Sequence, residues 1–557
     1  MGQETEYAIR FSPKLGHPGN DTIYRFLAEA IGSHVRTEPG LYTQRPQIFT
    51  QNGGAFHYEC LPYGHEGGLI EGATPECRGP SQLLLYQKAQ EALLLKAIPI
   101  AEKRLGVHGH PGKLGLLKNC RDAEGHVYGA QESFEAEVAS GASMFVYRVG
   151  LLALLPLLAL TFIIRRVAVL IALIGLTVAM LGAVIAALPP FRSRSWLDRL
   201  TNVKEQRNER RLYRVSLWLN RPFASLFSRW LNLWAFKRIR NHGHAFFVSR
   251  AVYSGAGSVD ESGRFVLSEK APAINRVVPR GHPEDRAIFD TGNLLKIALG
   301  ADAHFHLLRG LFSQRQRLQL GLADSSMLEE AEFLKMGTTA LVVDMAETGW
   351  LEDAPMLSQP VEALHTLVAD PTLEATVTTT SGELSGLQIQ RYYLERAKAF
   401  VADSKATSLE ASEVVGLWEE VLTALEAKEM DRLVGRIDWV TKRYLLEGCE
   451  SRGDAAMMKT IDLRYHEIGD GYSAQFARTG NVQQLLSPDE IENAVSEPPE
   501  GTPAYARGRF IRSRESNLAP VRISWHSALI GGGLKGKLIR FPTRPEAESD
   551  RGTDGGE

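Results

Sequence analysis

The sequence predicts an α+β fold that an apolar insertion divides into two halves. Strand-like alternation of polar and apolar residues occurs before residue 144 and again after residue 240, and helix-like periodicity separates the predicted strands. Between the two halves lies the uncharged segment 167–188. With 557 residues, the chain is long enough for two or three domains.

Residues 1–143 are predicted to form the first half of the fold. Three stretches have the alternation of half-buried strands, namely ETEYAIRF at 4–11, GGAFHYECL at 53–61 and KLGLLKN at 113–119. Two stretches between them have helical periodicity, at 19–34 and 80–105. The order of these elements favours a sheet with helices packed against it.

Residues 144–190 are predicted to form a transmembrane helical hairpin. The second arm, 167–188, has 22 residues without a charge and would span about 33 Å as a helix, enough to cross a bilayer core. The first arm, 149–164, is shorter, and Arg165 and Arg166 separate the two arms. The alternative, a buried helix of a soluble domain, is disfavoured by so long an apolar run.

Residues 191–240 are predicted to be a basic amphipathic segment at the membrane surface. They contain 13 Lys or Arg against 3 Asp or Glu, although the whole chain has a formal net charge of −2. Trp and Phe residues interleave with the basic ones, which suits a helix among anionic lipid headgroups. Nucleic acid is the alternative partner, but the neighbouring apolar segment favours lipid. Basic flanks favour the cytoplasmic side, so both halves of the fold are expected in the cytoplasm, at the membrane.

Residues 241–405 are predicted to form the second half of the fold, and residues 406–540 a smaller helical C-terminal domain. Strand character resumes at 244–255 and 262–269, and helical patterns follow at 318–345, 387–401 and 412–447. The polar residues 541–557 are predicted to be a disordered tail. The four cysteines lack metal-ligand spacing and fit a reducing compartment.

Carboxylates are the first candidates for chemistry. Glu4 and Glu6 are alternate residues of one predicted strand, so their side chains share a face. Glu59, Glu71 and Glu76 follow in a stretch that reads as loop-rich. Such carboxylates can hold Mg²⁺ against nucleotide phosphates or can form a solvated surface, and the pattern alone leaves both open.

Eleven short motifs occur in a specific order along the chain. Before the insertion they are ETEYAI at Glu4, QNGGAFHYE at Gln51, ATPEC at Ala73, LLKN at Leu116 and YGAQESF at Tyr128. After it they are FFVSRAVYSGAG at Phe246, FLKMGTTALVVDM at Phe333, LQIQRYYLERA at Leu387, IDLRY at Ile461, EPPEGTPAYARG at Glu497 and ISWHSALI at Ile523. Together they resemble the family of Pup ligases and Pup deamidases/depupylases, whose fold is similar to that of glutamine synthetase.

The resemblance implies an ATP- and Mg²⁺-dependent carboxylate–amine ligase with a glutamine synthetase-like antiparallel sheet. Its partners would be a Pup-like protein modifier, whose side-chain carboxylate is activated, and protein lysines, whose amines attack. The hydrolytic reverse reaction is the alternative within the family. The site residues implied by position are the catalytic Glu59, the metal ligands Glu4, Glu6 and Glu71, and the nucleotide-site residues Glu132, Arg286 and Arg507.

Several positions depart from the family pattern. The departures are Glu59 for an aspartate, His57 for a tyrosine, Gln131 and Ser133 for a histidine and an asparagine, Gln319 for a metal-ligating histidine, and Gly292 for a phosphate-binding arginine. Glutamine is a weaker metal ligand than histidine, and glycine carries no charge to balance a phosphate. The alternatives are therefore a small-molecule carboxylate–amine ligase or a catalytically degenerate, membrane-anchored scaffold of the same fold.

The spacing before the second motif bears on the direction of the reaction. About 45 residues separate Glu6 from Asn52. This interval leaves little room for the additional loop that the deamidase/depupylase type carries there. The resemblance therefore favours the ligase type.

Overall fold

The computed structural model describes residues 1–41, 46–61, 64–122, 125–187, 205–282, 284–300, 308–403, 409–450, 454–514, 519–531 and 536–542. They divide into two units. Unit 1 comprises Met1–Glu135, Arg238–Val277 and Gln319–Glu557, and unit 2 comprises Ala136–Lys237 and Val278–Leu318. Residues 406–540, predicted as a separate domain, belong to unit 1.

The strands of the described residues follow the chain in this order: β1 (Gly2–Pro13), β2 (Thr37–Pro39), β3 (Gln47–Thr50), β4 (Ala55–Leu61), β5 (Gly64–Ala73), β6 (Gly112–Leu117), β7 (Gln131–Glu137), β8 (Ser258–Val259), β9 (Phe265–Val266), β10 (Phe289–Asp290), β11 (Arg315–Leu320), β12 (Thr376–Thr379), β13 (Gly382–Ser385), β14 (Val521–Ile523), β15 (Ser527–Ile530) and β16 (Lys537–Arg540).

The helices are α1 (Asn20–Ile31), α2 (Pro80–Val107), α3 (Gly141–Ala187), α4 (Glu205–Trp234), α5 (Lys237–Ser249), α6 (Ala251–Ser254), α7 (Gly292–Gly300), α8 (Leu308–Leu311), α9 (Glu329–Thr348), α10 (Pro360–Val368), α11 (Gly386–Asp403), α12 (Leu409–Glu426), α13 (Asp438–Glu450), α14 (Ala455–Arg464), α15 (Tyr472–Ala477), α16 (Pro488–Ser496) and α17 (Pro503–Ser513).

The main sheet of unit 1 is built around β1. Among the described strands that lie wholly or partly in unit 1, the order is β11, β7, β1, β5, β4, β3 and β2, and β6 pairs with the far half of β1. The pairings of β1 with β5, β6 and β7 are antiparallel, as the resemblance implied. Burial alternates along β1, where Gln3, Thr5 and Tyr7 are buried and the residues between them are partly exposed.

Helices α1 and α2 cover one face of this sheet. The hydroxyl of Tyr24 in α1 donates to the carbonyl of Phe56 in β4 at 3.1 Å. The amide of Gln90 in α2 donates to the hydroxyl of Tyr7 in β1 at 3.0 Å. The opposite face of β1, β4 and β5 therefore carries the side chains that these helices do not cover.

The strands and helices predicted in residues 1–143 are confirmed, but the helix predicted at 318–345 begins only at Glu329, after strand β11. Two further predictions, of a loop and of a strand, are wrong. The stretch with Glu59 and Glu71 is not loop-rich, because both residues lie on the paired strands β4 and β5. The strand predicted at 244–255 is occupied by α5 and α6. Residues 243–250 are all buried, and a continuous buried run does not distinguish a helix from a strand by periodicity.

The long helix α3 of unit 2 contradicts the predicted hairpin. It runs without a turn from Gly141 to Ala187, through Arg165 and Arg166, where the hairpin bend was predicted. Neither arginine interrupts a helix, and no Gly or Pro lies between the two apolar arms. The NH1 group of Arg165 donates to the carbonyl of Leu299 at 3.2 Å, so unit 2 itself provides a partner at this point.

Helix α4 packs against the first part of α3. The indole nitrogen of Trp230 donates to the carbonyl of Tyr147 at 3.2 Å, and a Cβ at Gly150 would lie 1.9 Å from the Trp230 ring. Phe223 and Phe227 line the same contact. The predicted basic segment 191–240 is therefore helical from Glu205, while residues 188–204 lie outside the described part of the chain.

Candidate active site

Strand register brings the predicted carboxylates together on the uncovered face of the sheet. Glu6 of β1 lies opposite Glu71 of β5, and Glu71 lies opposite His57 of β4. Directly opposed residues of antiparallel strands point to the same face. Glu59 follows His57 by two residues and shares this face, as Glu4 does beside Glu6.

The tightest part of this cluster joins β4 to β5. The Nε2 atom of His57 lies 3.0 Å from a carboxylate oxygen of Glu71 and 3.7 Å from one of Glu59. Among the His, Cys, Asp and Glu side chains of the described residues, one group of three could hold a metal ion. It consists of His57, Glu59 and Glu71, whose ligand atoms lie within 4.8 Å of one another. The sequence signal for His57 was its alternate position to Glu59 on a strand, although it was not among the predicted ligands.

The pKa of Glu6 is raised where carboxylates are close together on this face. Burial, followed by the negative charge of Glu71, raises the pKa of Glu6 from 4.5 to about 7, against the opposing effect of Lys270. The backbone N–H of Gly129 donates to Glu6 at 2.7 Å and also opposes the rise. A divalent cation beside Glu6 and Glu71 would relieve this repulsion.

The donor set of the cluster fits a divalent metal ion. Carboxylate oxygens are the ligands that Mg²⁺ prefers, and an imidazole nitrogen adds a ligand suited to Mn²⁺ and other transition metals. The strands hold these groups on a rigid sheet, so they are positioned before a metal binds. Of the predicted metal ligands, Glu71 belongs to this group, and Glu6 lies opposite Glu71 on the neighbouring strand. The structure adds His57 to these two carboxylates.

Two glutamines occupy the row next to this cluster. Gln131 of β7 lies opposite Glu4 of β1. The amide of Gln319 in β11 donates to the side-chain oxygen of Gln131 and lies 3.4 Å from a carboxylate oxygen of Glu4. The amides at the two positions where the resemblance implied histidines therefore hydrogen-bond beside a predicted metal ligand.

Arg507, predicted at the nucleotide site, is fully buried and holds the turn before β4. Its guanidinium donates to the Gly53 carbonyl at 2.7 and 2.9 Å and pairs with Glu76. Gly53 has φ +88°, and a Cβ there would lie 2.9 Å from the Ala504 carbonyl oxygen, so this position requires glycine. Arg507 thus acts on the strand that carries His57 and Glu59.

The two other predicted nucleotide-site residues, Glu132 and Arg286, are not among the side chains of this cluster. Glu132 has no exposed surface, and both of its carboxylate oxygens accept from Arg250, at 2.9 and 3.0 Å. Arg286 belongs to unit 2, in the loop before β10. Gly292, where the resemblance placed an arginine in the family, begins α7 and donates its N–H to Asp290 at 2.7 Å.

Comparison with known proteins places the chain in a family. A family model described as Pup-ligase protein matches residues 1–529. The Pup–protein ligase of Acidimicrobium ferrooxidans is 26% identical, over 98% of this chain and 96% of that protein. The Pup deamidase/depupylase of Mycolicibacterium smegmatis is 33% identical, over 54% of this chain and 59% of that protein.

Solved structures share the fold. The ligase PafA in complex with the prokaryotic ubiquitin-like protein Pup aligns with a TM-score of 0.67 at 19% identity, over 99% of this chain and 90% of that chain. PafA in complex with ADP aligns with a TM-score of 0.63 at 19% identity, over 96% of this chain and 93% of that chain. The α+β architecture with an antiparallel sheet is therefore confirmed.

Proposed function

The chain belongs to the Pup-ligase family, and from that premise we propose that it is an ATP- and Mg²⁺-dependent ligase for a Pup-like protein modifier. The observation that supports this function is the row Glu6, Glu71 and His57 across three neighbouring strands, with Glu59 beside it. ATP-dependent acyl activation requires such a row of cation-binding groups next to a group that accepts a proton.

The proposed reaction has two steps. A side-chain carboxylate of the modifier attacks the γ-phosphorus of ATP, which releases ADP and forms an acyl phosphate. The amine of a protein lysine then attacks the acyl carbon, phosphate leaves, and an isopeptide bond remains. A divalent cation would balance the charge on the phosphates, and Glu6, Glu71 and His57 would hold it.

Glu59 is proposed to accept the proton that the lysine ammonium loses. Its carboxylate lies on the same face as the proposed metal ligands, 3.7 Å from the Nε2 atom of His57, where it would accept a proton from an amine bound beside the metal. A glutamate at this position extends one methylene further than the aspartate of the family pattern. We therefore expect a substrate position that differs from that of relatives with the shorter side chain.

Ligation is proposed over removal of the modifier. The described residues between Glu6 and Asn52 include the rest of β1, helix α1 and the strands β2 and β3. The whole-length similarity to a Pup–protein ligase supports the same direction. Isopeptide hydrolysis uses the same groups and is the outcome that an assay of both directions would reveal.

The first experiment measures Mg²⁺-dependent ATP turnover and modifier conjugation by the full-length protein. We expect Glu71→Gln to weaken nucleotide binding in the presence of metal, and Glu59→Ala to abolish conjugation while nucleotide still binds. Glu261→Ala, at an exposed loop position of unit 1, is the matched control and should behave as the wild type. Conjugation that survives Glu59→Ala would contradict the role of Glu59.

A non-catalytic scaffold is the second candidate, favoured by the hydrogen-bonded Gln131 and Gln319 beside Glu4. Such a protein would bind nucleotide or modifier without turnover. A small-molecule ligase would instead hydrolyse ATP with an amino acid and an amine, and without a protein modifier. The three functions are separated by one matrix of assays with and without modifier, protein lysine and small amines.

We propose that this chemistry takes place at the cytoplasmic face of a membrane. Among the described residues, one helical segment, Gly141–Gly182, is long and apolar enough to cross a bilayer, with a mean hydropathy of 2.4. A buried core helix can pass the same test, but only 11% of this segment's apolar window is buried. Membrane proteins would then be the natural source of substrate lysines.

A further inference from the structure

Helix α3 has two parts with different surroundings inside unit 2. Up to Arg165, one stripe of the helix is buried at Met144, Tyr147, Leu151, Leu158 and Thr161. This spacing of three, four and seven residues places them on one face, where they meet α4. We call residues 167–187 of α3 the distal segment; there the described large side chains have no such partner.

The distal segment is apolar on all sides. Its exposed large side chains are Val167, Val169, Leu170, Ile171, Leu173, Ile174, Val178, Met180 and Leu181. Because consecutive residues are turned by about 100°, these large side chains cover about 200° of the helix circumference. The small residues Ala168, Ala172 and Gly175 lie on the rest, so no face of the segment is polar. An amphipathic helix at the surface of a soluble protein would instead expose a polar face.

The length of the distal segment fits a bilayer, but chain connectivity opposes a single crossing. About 21 residues of helix extend about 31 Å, the thickness of a hydrocarbon core. Unit 1, however, contains chain from before and after unit 2, and β1 pairs there with β7 while Arg250 pairs with Glu132. Residues 136–237 must therefore cross a membrane an even number of times, or not at all.

A second crossing has no suitable segment. Residues 188–204 contain the charged residues Arg192, Arg194, Asp198, Arg199 and Lys204. Helix α4 carries six arginines in its sequence. Each charge at a bilayer centre costs about 2.5–3.5 kcal/mol on insertion scales. The first part of α3 cannot serve either, since its buried stripe is already packed within unit 2.

The charges at both ends of the distal segment also indicate that the two ends lie on the same side of a membrane. Arg165 and Arg166 precede it, and 13 basic residues against 3 acidic ones lie between positions 191 and 240. Basic flanks are retained on the cytoplasmic side. Because both ends of the segment are basic, both are expected at the same face.

We propose that the distal segment of α3 is embedded in the cytoplasmic leaflet of an anionic bilayer without crossing it. A helix is about 10–12 Å in diameter and a leaflet core about 15 Å deep, so one leaflet accommodates it. The basic residues after the helix bind the anionic headgroups. This inference rests on the proposed membrane location and is independent of the proposed ligase chemistry.

Lipid explains the exposure better than a second copy of the chain does. A partner helix packed against α3 would cover one stripe of its surface. The large exposed side chains of the distal segment extend over about 200° of its circumference, so one partner helix would leave many of them in water. A fluid hydrocarbon layer surrounds such a helix completely.

The first test determines on which side of the membrane residues 143, 166 and 193 lie. Single cysteines are placed at Ser143→Cys before the distal segment, Arg166→Cys at its start and Ser193→Cys after it, in a chain with Cys60 and Cys449 changed to serine. A membrane-impermeant maleimide is added to right-side-out spheroplasts and to inside-out vesicles. We expect all three cysteines to react only in inside-out vesicles.

Two labelling patterns would overturn the proposal. Reaction of Ser193→Cys alone in spheroplasts would indicate one complete crossing. Reaction of Arg166→Cys alone in spheroplasts would indicate a hairpin that opens at the two arginines. Recovery of all three variants in the soluble fraction would exclude the embedded helix.

The second test measures vesicle binding by the purified full-length protein. Flotation with phosphatidylglycerol and phosphatidylcholine vesicles is compared with flotation with phosphatidylcholine alone. We expect stronger binding to the anionic vesicles, and a loss of about tenfold or more in Ile174→Glu/Leu181→Glu. The matched control, Leu15→Glu/Leu409→Glu, changes two exposed leucines of unit 1 and should float like the wild type.

The remaining outcomes separate this inference from the proposed function. A protein that does not float but forms dimers, which Ile174→Glu/Leu181→Glu dissociates, would assign the surface to a second copy and overturn the proposal. ATP turnover is measured on every variant. Normal flotation without turnover would contradict the ligase alone, whereas turnover without flotation would contradict the embedded helix alone.

Discussion

Unit 1 contains two clusters of ionisable side chains that differ in how their negative charge is balanced. In the buried cluster, the ammonium of Lys442 lies 2.8 Å from Glu269, 3.2 Å from Asp462 and 3.1 Å from His466. On the uncovered sheet face, Glu6 lies opposite Glu71, and carboxylates outnumber the basic side chains of the row. The first cluster carries its own cations, and the second favours an added one.

The pKa values show this difference. Burial alone would raise the pKa of Glu269, but His466 and Lys442 outweigh it and hold that pKa well below its usual range. At Glu6, burial and Glu71 act in the same direction and raise the pKa to about 7. The charges are therefore balanced within the buried cluster, whereas the sheet face retains an excess of negative charge that suits the proposed cation site.

The largest expected effect is the loss of the buried cation. Lys442→Met leaves Glu269 and Asp462 buried without their ammonium partner, so the free energy of unfolding should fall by about 3–5 kcal/mol. Urea denaturation measures it. Lys398→Met is the control, because its partners Glu395 and Glu419 are exposed and such pairs contribute at most about 1 kcal/mol. Equal effects of the two substitutions would remove the distinction between the clusters.

The next effect concerns metal binding at the sheet face. Glu71→Gln removes the carboxylate between Glu6 and His57, so the affinity for a divalent metal should fall by at least about tenfold. The free energy of unfolding without metal should not fall, in contrast to Lys442→Met. Titration calorimetry with Mg²⁺ and Mn²⁺ measures the affinity, and Glu492→Gln, at an exposed glutamate, is the control. Unchanged affinity would exclude this row as the metal site.

The identity of the metal tests the contribution of His57. An imidazole ligand favours Mn²⁺ over Mg²⁺. We therefore expect the wild-type protein, with His57, to bind Mn²⁺ about tenfold more tightly than a variant with a phenol side chain at this position. His57→Tyr should reduce the preference for Mn²⁺ relative to Mg²⁺ while leaving Glu71 in place. The ratio of the two dissociation constants is the measurement. A ratio that is insensitive to His57→Tyr would show that the imidazole does not bind the metal.

The smallest effect is a pH dependence with opposite signs at the two clusters. Because the pKa of Glu6 is higher in the folded protein, the folded state binds more protons between pH 4.5 and about 7, and stability falls as pH rises through that window. Glu269 has the reverse shift, so its contribution is present above its unfolded pKa and is lost on acidification.

Glu6→Gln separates the two contributions. In the presence of a chelator at pH 8, this substitution should raise the free energy of unfolding by about 1 kcal/mol. It should also reduce the fall in the free energy of unfolding between pH 4.5 and 7. The acid limb due to Glu269 should remain. Thermal unfolding across this pH range is the measurement. If stability still falls as steeply between pH 4.5 and 7 in Glu6→Gln, the titration of Glu6 is not the cause of that fall.

Local patterns predicted the parts of the site that depend on one strand. Alternation placed Glu4 and Glu6 on one face, and the ordered motifs identified the family, as the family model confirms. The roles of Glu59, Glu132, Arg286 and Arg507 stay predictions. The structure adds that Glu132 and Arg507 are buried in ion pairs with Arg250 and Glu76, which no single stretch of sequence records.

The insertion shows a different limit of local pattern. Its apolar composition indicated a membrane-seeking segment, but a pair of arginines was interpreted as a bend, and the structure has one continuous helix. Whether apolar residues face lipid or protein depends on what packs against them. Leu151 and Leu158 are buried by unit 2, whereas Leu170 and Leu181, of the same residue type, are exposed.

The sequence by itself determined the family, the strand that carries Glu4 and Glu6, and the presence of an apolar segment followed by a basic one. These properties depend on short-range periodicity and composition. Only the tertiary structure decided that Glu6, Glu71 and His57 form one row, that Gln319 reaches Glu4, and that α3 is unbroken. Strand register and helix packing depend on contacts between residues far apart in the chain, and periodicity within one segment contains no information about them.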